Sequence, residues 1–89
     1  MAKNFKIFVH RNDNNIHMKL FGEFDGSSAY ELLDQIERRC KEPVTVFIHT
    51  NSLKKVIPFG SELLKSKLND LNRKRIQIVF TGKNARSFF

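Results

Sequence analysis

Hydrophobic and polar residues alternate in two short segments at the start of the chain. Residues 5–10 mix β-branched and aromatic side chains, and residues 16–21 alternate with a period of two, which is typical of half-buried strands. Between them, residues 11–15 consist of Arg, Asn and Asp. Asn and Asp tolerate left-handed backbone and hydrogen-bond their own main chain, so they favour a turn. The pattern predicts an antiparallel hairpin.

Two segments with the period of a helix follow. Ser27 or Ser28 is expected to cap the first helix, because Glu31 stands three residues after Ser28, as a capping box requires. Proline disfavours helical geometry in the residue before it, so this helix should end before Pro43. The second helix is predicted over about 61–71. The apolar stripes are Ala29, Leu32, Leu33, Ile36 and Cys40 in the first helix, and Leu63, Leu64, Leu68 and Leu71 in the second.

Two further strands are predicted around the second helix. Residues 44–48 are nearly all β-branched or aromatic, as expected of a central strand covered on both faces, and residues 75–81 form a fourth strand. Residues 82–84 could start a last helical turn, and Phe88 and Phe89 are candidates to cover the sheet near Phe80. The element order predicts an α/β fold with a mixed four-stranded sheet, made of the hairpin and two strand–helix–strand units. Right-handed crossovers would place the helices mainly on one face.

Composition adds an uneven charge to this picture. The 89 residues suit one domain, and the net charge of +7 lies entirely in residues 51–89, which carry nine Lys or Arg against two acidic residues. The single Cys40 excludes an intramolecular disulfide, and no apolar run approaches the length of a membrane-spanning helix. The N-terminus lacks a secretory signal, so a cytoplasmic location is expected.

The sequence shows no pattern typical of an active site. His10, His17 and His49 lie at unrelated positions, and no spacing of His, Cys or Asp matches a metal site. Glu23 and Asp25 at a strand end are a weak indication of acid–base chemistry, and the four glycines form no phosphate-binding loop. We expect no enzymatic activity, no cofactor and no metal.

The two strand-to-helix junctions resemble those of a known family. The first reads G-E-F-D-G over residues 22–26 and is followed by small residues, and the second, within 44–63, enters a helix near Gly60. They resemble the STAS family (sulfate transporter and anti-sigma factor antagonist). Its first junction commonly reads G-E-L-D and its second roughly D-S-S-G-L. The resemblance covers about residues 5–84 and implies one small STAS-like domain over 1–89 with a truncated C-terminal helix.

The resemblance implies a regulatory switch from which this chain departs. One serine of the family's second junction is the phosphorylation target of a partner kinase. With Gly60 aligned on the family glycine, Ile57 replaces the aspartate, and Pro58 and Phe59 replace the serines. None of the three has a hydroxyl. The resemblance therefore implies non-catalytic regulation through protein–protein contact, as in bacterial anti-sigma factor antagonists, without the usual phosphorylation-driven release.

The resemblance also places a protein partner, an anti-sigma factor or a related kinase-like regulator, at the two junctions and the flank of the second helix. The residues expected to bind it are Asp25, Ser27, Lys54, Lys55, Pro58, Phe59, Ser61 and Lys65. Phe59 suits either an apolar recognition point at the surface or a core position beneath the helix. Ser61 is a possible phosphorylation site, because a phosphate there would meet the positive end of a helix and nearby lysines. Thr50 and Ser52 are weaker candidates.

Other functions stay open at this point. The basic C-terminal segment would suit nucleic acid or an anionic membrane, although it contains no known nucleic-acid motif and only Phe59 lies near it for stacking. Some STAS domains are described as binding nucleotides or lipids, which makes a small-ligand site the third alternative. The sequence leaves the oligomeric state undetermined.

Overall fold

Five strands and two helices make up the chain in this computed structural model, which describes residues 4–41 and 43–88. In chain order they are β1 (Lys6–Asn12), β2 (Asn15–Phe24), α1 (Gly26–Arg39), β3 (Val44–His49), β4 (Leu53–Val56), α2 (Pro58–Arg73) and β5 (Ile76–Thr81), followed by a short 3-10 helix, Ala85–Phe88. The α/β class, the hairpin and both strand–helix–strand units are as the sequence predicts.

The sheet is mixed and has one more strand than predicted. Its order is β1-β2-β3-β5, with β1 antiparallel to β2 and the others parallel. β4 is the additional strand and pairs in parallel with the C-terminal end of β2, where Phe24 lies opposite Val56. The prediction of four strands was wrong because β4 has only four residues, two of them lysines, and so lacks a readable alternation.

Both helices pack on one face of the sheet, as predicted. Alternate residues of β2 and β3 point toward them and are buried, and Leu32 and Ile36 of α1 and Leu64 of α2 are fully buried against them. The other residues of β3 are only half-buried, so the expectation that this strand is covered on both faces was wrong. The sheet therefore has a helix-covered face and an open face.

The helix boundaries differ from the prediction at both N-termini. Asp25 rather than a serine caps α1: its side chain accepts from the Ser28 backbone N–H, and Ser28 completes the capping box in place of Glu31. Helix α2 begins at Pro58, three residues earlier than predicted, and continues to Arg73. Proline suits the first helical position, where its missing N–H leaves no bond unmade.

The C-terminal 3-10 helix covers the end of the sheet with Phe88. This ring is buried, stacks on Phe80 at a centroid distance of 4.8 Å and meets Phe24 edge-on at 5.0 Å. The expectation that Phe88 covers the sheet near Phe80 is confirmed, whereas Phe89 lies outside the described residues.

Candidate functional site

The two strand-to-helix junctions lie in direct contact. The Ile57 N–H donates to the Phe24 carbonyl at 2.8 Å, which joins the start of α2 to the end of β2. A Cβ at Gly60 would lie 2.5 Å from the carbonyl oxygen of Asp25, a distance that real Cβ atoms essentially never show. The glycine therefore allows the first turn of α2 to approach the cap of α1. We call the exposed part of this contact, made of Asp25, Gly26, Ser27, Pro58 and Phe59, the helix-start surface.

Asp25 is held as a carboxylate by the first turn of α1. Its Oδ1 accepts from the Ser28 N–H at 3.0 Å and from the Ser27 hydroxyl at 2.9 Å. The backbone bond from Ser28 is the main cause that lowers the pKa of Asp25, with the two serine hydroxyls adding to it. An ionised carboxylate also complements the positive end of the helix. The side chains of Asp25 and Ser27 are thus held by hydrogen bonds at the N-terminus of α1, where they form a polar part of the surface.

Phe59 dominates the start of α2. Its ring is 70% exposed, so the interpretation of Phe59 as a core residue was wrong. A Cβ on Gly26 would lie 2.8 Å from Cε2 of Phe59, so the ring rests against the glycine of the other junction. The first turn of α2 has no side-chain cap, because Ile57 precedes it. A large apolar ring is thus presented at the surface and supported from below.

Ser61 lies beneath this surface rather than on it. The residue is 5% exposed, and its hydroxyl donates to the Pro58 carbonyl at 3.1 Å. Phosphorylation of Ser61 stays a prediction, and burial makes it costly.

The three candidate lysines flank the helix-start surface. Lys54 and Lys55 are exposed on β4, where Lys55 lies opposite Glu23 of β2. Lys65 is half-buried on α2, and its Nζ lies 3.5 Å from a carboxylate oxygen of Glu62. Arg73 ends α2, roughly 22 Å from Pro58 by the rise of about 1.5 Å per residue. The cations at and after the end of this helix, Arg73, Lys74 and Arg75, therefore lie away from the helix-start surface.

The three histidines, which seem unrelated in the sequence, lie together on the open face of the sheet. His10 is the cross-strand partner of His17, and one ring N–H joins Nδ1 of His17 to Nε2 of His49 at 2.8 Å. His49 Nδ1 also lies 2.6 Å from the Thr81 hydroxyl. Burial lowers the pKa of His49, and the nearby His17 and Lys19 lower it further. The alternation in β1 and β2 indicates the shared face, but the contact with His49 depends on the register of β3.

Metal-ligating side chains and the thiol of Cys40 are the remaining reactive groups of the described chain. Across residues 4–41 and 43–88, no three His, Cys, Asp or Glu side chains lie close enough to hold a metal ion. Cys40 is buried with its thiol free, and burial raises its pKa, which keeps it in the unreactive protonated form. Among these same residues, no helix has the length and apolar character needed to cross a bilayer.

Comparison with known proteins identifies the fold and nothing finer. No family model and no curated protein matches the chain. Among solved structures, it is similar to Mglu in its L-glutamate binding form, with a TM-score of 0.79 and 12% identity over 93% of this chain. The chain spans only 18 to 28% of the length of the Mglu chains it matches.

Two smaller proteins match over most of their own length. The anti-sigma factor antagonist SpoIIAA in its unphosphorylated form matches 96% of this chain and 80% of its own, with a TM-score of 0.65 and 15% identity. An uncharacterised protein from Shewanella loihica PV-4 with a SpoIIAA-like fold matches 93% and 75%, with a TM-score of 0.56 and 17% identity. Together with the mixed sheet, the one-sided helices and the paired junctions, these matches show that the chain has the STAS-like fold of SpoIIAA.

Proposed function

We propose that this chain is a non-catalytic regulatory domain that binds a protein partner through the helix-start surface. SpoIIAA, which shares the fold, is an anti-sigma factor antagonist, and we infer a partner of that kind, an anti-sigma factor or a related regulator. The free thiol of Cys40 accords with a reducing compartment, and we place this regulation in the cytoplasm of a bacterium.

The exposure of Phe59 is the observation that supports this proposal most. Aromatic side chains that are exposed alone and buried on binding are frequent hot spots of protein interfaces. The Phe59 ring lies against Gly26, and a side chain that is already restricted loses less conformational freedom when a partner covers it. Lys54, Lys55 and Lys65 flank it, and we expect them to steer an acidic partner toward the ring.

The proposed domain has no phosphate-operated release at the family position. Ile57, Pro58 and Phe59 have no hydroxyl, and the nearest serine, Ser61, is buried and hydrogen-bonded. We propose that binding is constitutive or regulated outside these junctions. The basic C-terminal segment gives less support to a nucleic-acid role, because its cations are spread over β4, α2, the turn at 73–75 and the residues after β5.

A small-ligand role rests on the groove beside α2. It is lined by Val56, Pro58, Ser61, Glu62, Lys65 and Ser87 and has a volume of about 250 Å³. The groove is shallow and open, and Glu62 partly neutralises Lys65, its only cation. We therefore favour a protein partner over a nucleotide or lipid at this place.

A pull-down from lysate of the source cell, followed by binding kinetics, tests the proposal. The captured partner is measured against the parent, Phe59→Ala and the pair Lys54→Glu with Lys55→Glu. Phe59→Ala should raise the off-rate, and the lysine changes should lower the on-rate in a salt-sensitive way. Phe8→Ala is the matched control, because this exposed phenylalanine lies on the open face. Equal binding by the Phe59 and lysine variants would place the interface elsewhere, and the basic turn at 73–75 would then be the next surface to test.

A further inference from the structure

The open face of the sheet is a surface that the proposed function leaves unused. Both helices pack on the opposite face, and the outward residues of β1, β2, β3 and β5 are half-buried or exposed. Cross-strand pairing arranges them in rows. One row runs His10–His17–Phe47–Val79, the next Phe8–Lys19–His49–Thr81, and Lys6 pairs with Phe21 beyond them.

The chemistry of this face is mainly cationic and aromatic. Its strand positions hold two lysines, three histidines and three phenylalanines, and the remaining ones are Asn12, Asn15, Glu23, Thr45, Gln77, Val79 and Thr81. The one carboxylate among these described positions, Glu23, lies at the edge of the face opposite Lys55, and Asp13 lies in the hairpin turn. A face on which lysines outnumber carboxylates, on a chain of net charge +7, attracts a polyanion.

The aromatic groups of the face form flat surfaces at neighbouring positions. Phe8 is 58% exposed and meets Phe21 edge-on at a centroid distance of 5.1 Å. The ring planes of His17 and His49 differ by only 5°, and a hydrogen bond joins the two rings edge to edge, so they form one flat plate. The Phe47 ring is nearly parallel to the His17 ring, with a centroid distance of 4.9 Å. Between the phenylalanine pair and this plate lies a groove of about 540 Å³, which Lys19 and His10 also line.

We propose that the open face binds single-stranded nucleic acid. Bases stack on Phe8, Phe21 and the His17–His49 plate, and Lys6 and Lys19 neutralise the phosphates. Exposed aromatic side chains on a four-stranded sheet can stack about two or three bases in this way. A basic track with interleaved aromatic rings is what sequence-tolerant single-strand binding requires. The site is separate from the helix-start surface and from the basic C-terminal segment.

Two other occupants fit the face less well. A second copy of the chain, related by a two-fold axis, would bring Lys6 and Lys19 of each copy against the same face, where Glu23 is the one carboxylate among the described positions and already lies opposite Lys55. A metal ion would compete with the hydrogen bond between His17 and His49, which already uses the facing nitrogens of both rings. Single-stranded nucleic acid offers phosphates to the lysines and unpaired bases to the aromatic rings.

Fluorescence anisotropy with short labelled oligouridylate and oligothymidylate tests the proposal, with a duplex of the same length for comparison. The parent should bind both single strands more tightly than the duplex, because only unpaired bases can stack. Phe8→Ala should weaken binding roughly tenfold, and Phe8→Tyr, which keeps the ring, should restore it. Lys19→Ala should reduce the slope of log affinity against log salt, measured from about 50 to 200 mM, by about 0.7.

Phe59→Ala is the control variant and should bind as the parent does, which separates this site from the proposed protein interface. Thermal melts of every variant identify any that fails to fold, and Lys19→Ala then replaces Phe8→Ala as the deciding variant. The proposal is overturned if the parent binds no single strand at low salt, or if it binds duplex equally well. It is also overturned if only Lys54→Glu with Lys55→Glu abolishes binding, or if light scattering shows a dimer that Phe8→Ala dissociates.

Discussion

At the scale of single residues, contacts between distant parts of the chain decide what each side chain does. Gly60 is needed for its lack of a side chain, because the Asp25 backbone occupies the space a Cβ would take. Phe59 is exposed although the next two residues of α2, Gly60 and Ser61, are buried. His49, an isolated histidine in the sequence, belongs to a hydrogen-bonded chain with His17 and Thr81.

Replacing Gly60 by alanine should destabilise the protein, although alanine is the better helix former by about 1 kcal/mol. The added Cβ would collide with the Asp25 carbonyl group, and overpacking of this kind costs about 1–3 kcal/mol. Urea unfolding measures the difference. Asn69→Ala, at an exposed position of the same helix, is the control and should be neutral or slightly stabilising. A Gly60→Ala protein as stable as the parent would show that the junctions are not in tight contact.

Unfolding free energy should fall as the pH drops below about 6.5. Burial, His17 and Lys19 lower the pKa of His49 in the folded protein, so His49 of the unfolded chain binds a proton at a higher pH than His49 of the folded protein. Proton binding stabilises the unfolded state, and the unfolding free energy should fall further with decreasing pH until His49 of the folded protein is protonated too. Urea unfolding across this range measures how steeply the unfolding free energy changes with pH, and His49→Gln should reduce that slope. An unchanged slope in His49→Gln would assign the titration to another group.

Intact-mass measurement after incubation with lysate and ATP should show no phosphate at residues 57–60. These four residues lack a hydroxyl, and the buried Ser61 is bonded to Pro58. A phosphate mapped to Ser61 would mean that the switch has moved by one position past the family glycine. Constitutive binding would then have to be abandoned.

At the scale of secondary structure, α1 is the element that the sequence describes best. Its apolar stripe is buried as predicted, with Leu32 and Ile36 fully enclosed and Leu33 7% exposed. The start of the helix was less well predicted, because Asp25, Ser27 and Ser28 are all good capping residues and only their backbone geometry selects Asp25. β4 was also missed because tertiary contact decides it. Residues Leu53–Val56 form a strand because the end of β2 lies beside them and pairs with them.

Leu33→Ala should lower the free energy of unfolding by about 2–5 kcal/mol, since it removes buried methyl groups and leaves a cavity between α1 and the core. A thermal melt measures the effect. Tyr30→Ala, on the same helix but 61% exposed, is the matched control and should change the melting temperature much less. Equal melts for the parent and Leu33→Ala would mean that this side of the stripe faces solvent.

At the scale of the whole molecule, the one-sided packing of the helices separates two exposed surfaces. The helix-start surface lies where β2 and β4 lead into the helices, and the open face lies on the side of the sheet away from them. Each surface contains an exposed phenylalanine that contacts another residue: Phe59 lies against Gly26, and Phe8 meets Phe21 edge-on. The two surfaces share no residue, so a partner on one need not block the other.

Phe8→Ala and Phe59→Ala should therefore have small and independent effects on stability. Both rings are mostly exposed, and mutations without shared contacts usually add within about 0.5 kcal/mol. Urea unfolding of the two single variants and the double variant measures this additivity. A coupling well above that value would show that the two surfaces communicate through the sheet.

The sequence by itself determined the helices, every strand except β4, and their order, because periodicity and turn chemistry are local properties that survive without knowledge of the partner strand. It also determined the core stripe of α1 and, through the two junctions, the resemblance to the STAS fold. Tertiary structure alone decided the rest. Strand register brought His17 to His49, and the close contact between Asp25 and Gly60 brought the two junctions together, with Phe59 against Gly26. Such contacts join residues about 30 positions apart, and no local pattern encodes the distance between them.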